Sequence, residues 1–311
     1  MNKKLTLLLT SVLLTVPLAA NAAYTTSPVL SNAPVVAVLD TALDTSLPDI
    51  KSHLLYEVCI LEWPSCPNGK TFMEGENSSV LPMNILSSKN FNHGTQMTSA
   101  LIAANQNIRV IFIRIIGNTS AGVRQNTGEA TVLNALKWVD ANKAKYNIQA
   151  VSMSQGMSAT SKAIDYCRKT PNTEAVIKNL NSSDIPVFFA AGNARNYTQI
   201  DWPSCLPSSI AVGATDTNDE IATYSNYDSK LIDFYALGSA LTLLPGGNVF
   251  PGSGTSIATQ VAAANWVDVK SKKPTLKYQE LYDLLSKTSK QTVGINGMVG
   301  KLINSNGAIN G

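Results

Sequence analysis

A chain of 311 residues with 44% apolar side chains can form one large α/β domain, or two small ones, around a sizeable core. Its 24 basic and 21 acidic residues give a formal charge of +3, without blocks of like charge. This near-neutral balance gives no electrostatic reason to expect nucleic acid as a partner.

The N-terminus has the pattern of a secretory signal. Lys3 and Lys4 precede an apolar stretch at 5–18, and Ala20-Asn21-Ala22 is a small-x-small cleavage site. The alternative is a buried or membrane-anchoring helix, but a bilayer span takes about 20 apolar residues. No later segment is long and apolar enough to span a membrane. We predict a signal peptide at 1–22 and a secreted or periplasmic protein whose mature charge, without the two lysines, is +1.

After a short polar linker at 23–33, predicted strands and helices alternate through a domain at 34–311. Strands are predicted at 35–39, 108–116, 150–153, 186–190, 210–213 and 231–235. Helices are predicted at 94–105, 129–145, 173–180 and 256–269, and a last one opens at Pro274. Residues 48–90 show no clear period and are predicted to be irregular, with His53 on the surface of a loop. The alternation predicts a mostly parallel central sheet with helices on both faces, and functional residues at the carboxyl ends of its strands.

All four cysteines lie beyond the predicted signal: Cys59, Cys66, Cys167 and Cys205. An even number in an exported protein indicates disulfides, and the alternative is four free thiols. Of the three pairings that four cysteines allow, we favour Cys59–Cys66, which closes a short loop, together with Cys167–Cys205. A metal site is not expected, because no C-x-x-C motif is present and His53 and His93 are the only histidines.

Three short segments supply the side chains for acyl transfer to a serine: 40–44 with Asp40, 93–95 with His93, and 254–258 with Ser256. A serine hydroxyl is a weak nucleophile and needs a neighbouring base, which neutral imidazole provides. A buried carboxylate fixes the imidazole tautomer and stabilises the imidazolium that forms. Taken singly, Asp40 also fits a strand-end cap, Ser256 a helix N-cap and Asn193 an ordinary turn residue.

Together, these segments resemble the signatures of the subtilisin-like serine peptidases, in the same Asp, His, Ser order. The strand ending at Asp40 is similar to the family's first catalytic strand, and His93-Gly94-Thr95 to its HGT. Further segments resemble its substrate-pairing strand (151–156), its AAGN (190–193), its YPA…IAVGA stretch (202–215), its SFSNYG (224–227) and its GTSMA (254–259). These matches occur in the family's order and cover residues 34–288.

The resemblance implies a subtilisin-like three-layer α/β fold and catalysis through a Ser acyl-enzyme. Asp40, His93 and Ser256 would form the triad, and the Asn193 side chain with the Ser256 backbone N–H would bind the oxyanion. Substrate binding is expected at Ser154, Gln155, Gly156 and Asp201. Asp201 precedes the aromatic–proline pair, where the family lines the pocket for the residue before the cut. A carboxylate there would favour Lys or Arg, and the alternative is an exposed Asp beside a turn.

Three departures from the family pattern shape further expectations. An Asn/Gly-rich calcium-binding loop often follows the His helix, but here 103–107 lead almost directly into the next strand. Asp49 aligns with a usual calcium ligand, but most of its partners would be gone. We therefore expect no cofactor, and calcium remains the alternative. Gln260 replaces the usual Pro of the nucleophile helix, which should restore a backbone hydrogen bond. The short stretch between the predicted signal and the first strand predicts a protein without a covalent prodomain.

We therefore expect a secreted serine endopeptidase that acts on protein or peptide substrates. Two alternatives stay open. The first is a processing enzyme of narrow specificity, and the second is a non-catalytic scaffold of the same fold that binds a protein partner. No oligomeric state is predicted.

Overall fold

The computed structural model describes residues 31–125, 127–158 and 167–311, together with Val29. The predicted signal peptide and most of the predicted linker lie outside the described residues and stay predictions.

A ten-stranded, mostly parallel sheet forms the centre of the fold. Its strands are β1 (Val35–Asp40), β2 (Leu54–Ile60), β3 (Phe72–Glu74), β4 (Arg109–Arg114), β5 (Ile148–Met153), β6 (Val187–Ala190), β7 (Ile210–Thr215), β8 (Phe234–Leu237), β11 (Lys290–Val293) and β12 (Val299–Leu302). They are arranged in the order β11-β12-β8-β7-β6-β5-β1-β4-β2-β3. Only β3 and β11, at the two edges, run antiparallel to their neighbours. A separate antiparallel hairpin consists of β9 (Ser239–Leu243) and β10 (Val249–Ser253).

Eight α-helices lie wholly within the described residues. They are α1 (Pro48–His53), α2 (Met83–Leu86), α3 (His93–Ala104), α4 (Glu129–Tyr146), α5 (Pro171–Ser182), α6 (Thr255–Lys272), α7 (Tyr278–Thr288) and α8 (Ser305–Asn310).

Strand β1 shows how the sheet becomes the middle layer. All six of its residues are buried, as expected for an apolar strand covered on both faces. Val36 and Val38 join a core with residues of α3, α6 and α7, whereas Ala37 and Leu39 join a core with residues of α4 and α5. Helices therefore cover both faces, and the predicted three-layer fold is confirmed.

The prediction that 48–90 is irregular is wrong. This region contains α1, β2, β3 and α2, and β2 pairs in parallel with β4. The Pro, Gly and Asn residues around β2 obscure its pattern, and its partner strand lies far along the chain. In mid-strand, the carboxylate of Glu57 is buried and accepts hydrogen bonds from the backbone N–H of Asn77 (2.9 Å) and from the hydroxyl of Ser79 (2.6 Å).

Two other predicted boundaries also need correction. The strand expected at 231–235 lies at Phe234–Leu237, and the helix expected to open at Pro274 begins at Tyr278. The β9–β10 hairpin and strands β11 and β12 were not predicted.

Both favoured cysteine pairings are present. Cys59 in β2 is bonded to Cys66, and Cys167 to Cys205. Within the described part of the chain, no helix combines the length and apolarity that crossing a membrane requires.

His53 is not the surface residue that we predicted. Its side chain is buried at the end of α1, where Nδ1 contacts the Asp49 carbonyl oxygen (2.7 Å) and Nε2 that of Gln106 (3.1 Å). The His53 imidazole thus lies between α1 and the short connection from α3 to β4. In the family, the calcium-binding loop often occupies this connection. Across the described ranges, no group of three or more His, Cys, Asp or Glu could hold a metal ion.

Candidate active site

Asp40 and His93 form a direct contact at the carboxyl edge of the sheet. Asp40 is the last residue of β1 and is fully buried, and Thr41 N–H donates to its Oδ1 (2.7 Å). His93 is the first residue of α3, and its Nδ1 lies 2.9 Å from Asp40 Oδ1 and 3.0 Å from Oδ2. The His93 side chain is 27% exposed, so one edge of the imidazole remains accessible from the cleft.

The local sequence explains why the start of α3 approaches β1 so closely. The Thr41 hydroxyl donates to the Phe91 carbonyl (2.8 Å) and accepts from Gly94 N–H (2.9 Å), which ties the strand end to the helix start. A β-carbon at Gly94 would overlap the Ala42 carbonyl oxygen. The glycine after His93 therefore permits the imidazole to reach Asp40.

Ser256 is the second residue of α6, where backbone N–H groups lack intrahelical partners and the helix dipole favours negative charge. Its carbonyl oxygen accepts from the Ser154 hydroxyl (3.0 Å), which in turn accepts from Gln260 Nε2 (3.1 Å). Among the described residues, none forms a hydrogen bond with the Ser256 hydroxyl. Of the three residues of the expected triad, the structure thus joins only Asp40 and His93 directly. Catalytic hydrogen bonds are often longer in substrate-free enzymes than in complexes.

Asn193 follows β6 and contacts the start of α6. Its Oδ1 accepts from the backbone N–H (2.9 Å) and the hydroxyl (3.0 Å) of Thr255, the neighbour of Ser256. These two bonds fix the amide so that Nδ2 stays available as a donor. A β-carbon at Gly254 would lie 3.4 Å from that Nδ2, and the φ of 154° at Gly254 also favours glycine. The glycine keeps the space beside the donor open.

Gln155 has a contact that the sequence did not predict. We expected it to bind substrate, but its side chain reaches the Asp40–His93 pair, where Nε2 donates to Asp40 Oδ1 (2.9 Å) and lies 2.9 Å from His93 Nδ1. Its Oε1 accepts from an Nη of Arg124 (2.6 Å). No local signal reveals this arrangement, because it joins residues from four distant segments.

The other expected substrate-binding residues lie around this centre. Gly156 packs against Trp202, and a β-carbon there would overlap the Trp202 carbonyl oxygen. The Asp201 carboxylate packs against Gly192, and a β-carbon at Gly192 would overlap that carboxylate. Its Oδ1 accepts from Nδ2 of the buried Asn226 (2.9 Å). The structure therefore places Asp201 directly beneath the segment that leads into Asn193.

Arg124 brings a positive charge to this centre. Its guanidinium is half-buried, and burial lowers its pKa from the ordinary value, while the nearby charge of Asp40 acts in the opposite direction.

The sequence profile described as the subtilase family matches residues 31–301. The chain belongs to the subtilase family. Among the relatives of this subtilase, subtilisin amylosacchariticus from Bacillus subtilis subsp. amylosacchariticus is 29% identical over 262 residues, which cover 82% of this chain and 60% of that protein. The chain thus spans less than two thirds of that relative's length. Subtilisin from Bacillus pumilus is 28% identical over 267 residues, covering 82% of each chain.

A solved structure shows the same fold. The structure of proteases from Pseudoalteromonas arctica aligns with a TM-score of 0.69 and 21% identity over 89% of both chains.

Proposed function

We propose that this subtilase is an exported serine endopeptidase that hydrolyses peptide bonds through an acyl-enzyme on Ser256. The observation that carries this proposal is the contact of His93 Nδ1 with both oxygens of the buried Asp40. That contact orients the imidazole, with Nδ1 as the donor and Nε2 as the base.

The steps follow from these positions. Ser256 Oγ attacks the scissile carbonyl while His93 Nε2 accepts its proton, and Asp40 stabilises the resulting imidazolium. The developing oxyanion accepts hydrogen bonds from Asn193 Nδ2 and from the Ser256 backbone N–H. His93 then donates its proton to the leaving amine, and water releases the acyl group by the reverse sequence. The segment Ser154 to Gly156, directly after β5, lies beside the pair and is proposed to bind the extended substrate.

The experiment is hydrolysis of a peptide library by purified protein, with Ser256→Ala as the control. We expect cleavage that disappears in the variant and with a serine-directed inhibitor. A short-peptide panel also detects an enzyme of narrow specificity that would leave casein intact. Absence of cleavage of every peptide would favour the non-catalytic scaffold.

Asp201 is proposed to favour Lys or Arg before the cut. Its support is the position of the carboxylate beneath Gly192, next to Asn193. Asn226 already donates to one of its oxygens, so a substrate cation would join an existing hydrogen bond. Asp201→Gly is expected to lower kcat/KM for Lys peptides relative to Leu peptides. An unchanged ratio would contradict this role.

Export is proposed from the N-terminal sequence pattern, and the two disulfides support it, because such bonds persist in oxidising compartments.

A further inference from the structure

A pocket of 260 Å³ opens beside the Asp40–His93 pair. Its walls include Ile116, Met153 and Trp202, and Gln155 and Gly156 line it as well. Gln155 therefore faces the pocket and also contacts Asp40. The volume lies below the roughly 300–1,000 Å³ typical of sites for whole small molecules, and it suits a single side chain.

Among the residues that the structure describes, Arg124 is the only charged one that lines this pocket. A turn holds its backbone in place, with Thr119 N–H donating to the Val123 carbonyl (2.9 Å) and Gln125 N–H to that of Gly117 (2.9 Å). The guanidinium is thus presented by a fixed segment, and bidentate geometry makes arginine well suited to bind a carboxylate.

The charge of Arg124 has no anion in direct contact, because Gln155 separates it from Asp40, the nearby charge that acts on its pKa. Its hydrogen bonds go to two neutral oxygens, Gln155 Oε1 (2.6 Å) and the Asn90 carbonyl (3.3 Å). Across the described residues, no carboxylate forms an ion pair with it. A half-buried cation without an anionic partner is unfavourable, and an incoming carboxylate would relieve this cost. Burial lowers the pKa of Arg124, which shows that the protonated side chain is destabilised where it lies.

We propose that Arg124 binds a side-chain carboxylate of the substrate, so that this enzyme prefers peptides with Asp or Glu in the pocket. This inference rests on the proposed peptidase function. Arg124 is linked to Asp40 through one intervening side chain, Gln155, and an extended peptide advances about 3.3 Å per residue. The selected residue therefore lies within a few positions of the scissile bond.

The test compares peptides that carry Glu or Gln at one position at a time around the cut, since these side chains differ in charge and hardly in shape. We expect kcat/KM to favour Glu over Gln by roughly tenfold at one position, and less so at high salt. Arg124→Gln should abolish this preference, Arg124→Lys should keep part of it, and Arg124→Glu should shift it towards Lys. Arg109→Gln is the matched control, because Arg109 is the first residue of β4 and lies at the end of the strand away from the carboxyl edge of the sheet. This variant should leave the preference for Glu unchanged.

Binding of the same peptides to the Ser256→Ala variant is measured in parallel, so that the pocket is tested independently of catalysis. Tighter binding of the Glu peptide that requires Arg124 supports the proposal even if the peptidase assignment fails. Equal binding and equal cleavage of Glu and Gln peptides at every position would overturn it, as would a preference that persists in a folded Arg124→Gln variant.

Discussion

The Asn193 amide owes its orientation to Thr255, which donates twice to Asn193 Oδ1. The residue that precedes the proposed nucleophile therefore also positions the proposed oxyanion donor. A rigid donor of this kind stabilises the transition state without rearranging during the reaction.

Asn193→Ala is expected to reduce kcat by about 10²–10³ with little change in KM, because the donor acts on charge that develops only in the transition state. That magnitude was established for the equivalent donor of subtilisin, a member of the same family. Steady-state kinetics on a peptide substrate provides the measurement. A rise in KM at constant kcat would instead assign Asn193 to ground-state binding.

Gln155 is expected to tolerate an apolar replacement better than an acidic one. Gln155→Leu removes a donor to Asp40 but leaves the His93–Asp40 contact intact. Gln155→Glu places a second carboxylate within hydrogen-bonding distance of Asp40, with Arg124 at its other oxygen as a partial counter-charge. The repulsion that remains should reduce kcat below that of the Leu variant. Measuring kcat and KM separately tests this, because a purely structural role would not distinguish two variants of equal stability.

The sequence located several of these side chains and missed others for a physical reason. Asp40 and Asn193 follow buried apolar strands, a pattern visible in the local sequence. The contacts of Gln155 with Asp40, and of His53 with Gln106, join positions far apart in the chain. Only the packed fold determines such contacts, so His53 was assigned to the surface and Gln155 to the substrate alone.

Strand β2 is the element whose absence from our prediction matters most. It lies between β3 and β4, and its buried Glu57 interrupts the apolar pattern that identifies a strand. The Glu57 carboxylate is tolerated in the strand because the loop at 77–79 donates hydrogen bonds to it. Helices α3 and α4 were predicted to within one residue at each end, and α6 to within one residue at its start and three at its end.

Replacing Glu57 should destabilise the fold without touching the active site. Glu57→Leu leaves the buried Ser79 N–H and Ser79 hydroxyl without their acceptor, and each unsatisfied buried group costs about 1–3 kcal/mol. The N–H of Asn77 also loses its acceptor, but Asn77 is exposed and water can replace it. We expect a loss of at least about 2 kcal/mol in the free energy of unfolding, measured in urea. Glu57→Gln retains one carbonyl acceptor and should lose less. Equal stability of Glu57→Leu and the wild type would refute this account of the strand.

The two disulfides should contribute unequally. Cys59–Cys66 spans 7 positions and Cys167–Cys205 spans 38. In the chain-entropy model, each stabilises by about 2–4 kcal/mol, and the longer loop contributes more. Paired alanine variants of each bridge, compared by thermal unfolding, test this order. The opposite order would show that local packing around Cys59 outweighs loop entropy.

Across the whole molecule, the candidate site is assembled from four distant parts of the chain: the end of β1, the start of α3, the turn after β6 and the start of α6. A parallel sheet brings the strand ends to one edge, which is why motif order predicted the architecture. The motifs did not indicate the Arg124 pocket, because it forms only where the turn before α4 folds against the segment after β5.

The central claim is that Ser256 is a nucleophile activated by the Asp40–His93 pair. The most direct test is reaction of the folded protein with a fluorophosphonate probe, followed by peptide mapping. We predict that the label is found on Ser256 and that it is lost in His93→Ala. A folded protein whose Ser256 stays unlabelled, or a label that persists without His93, would contradict the claim.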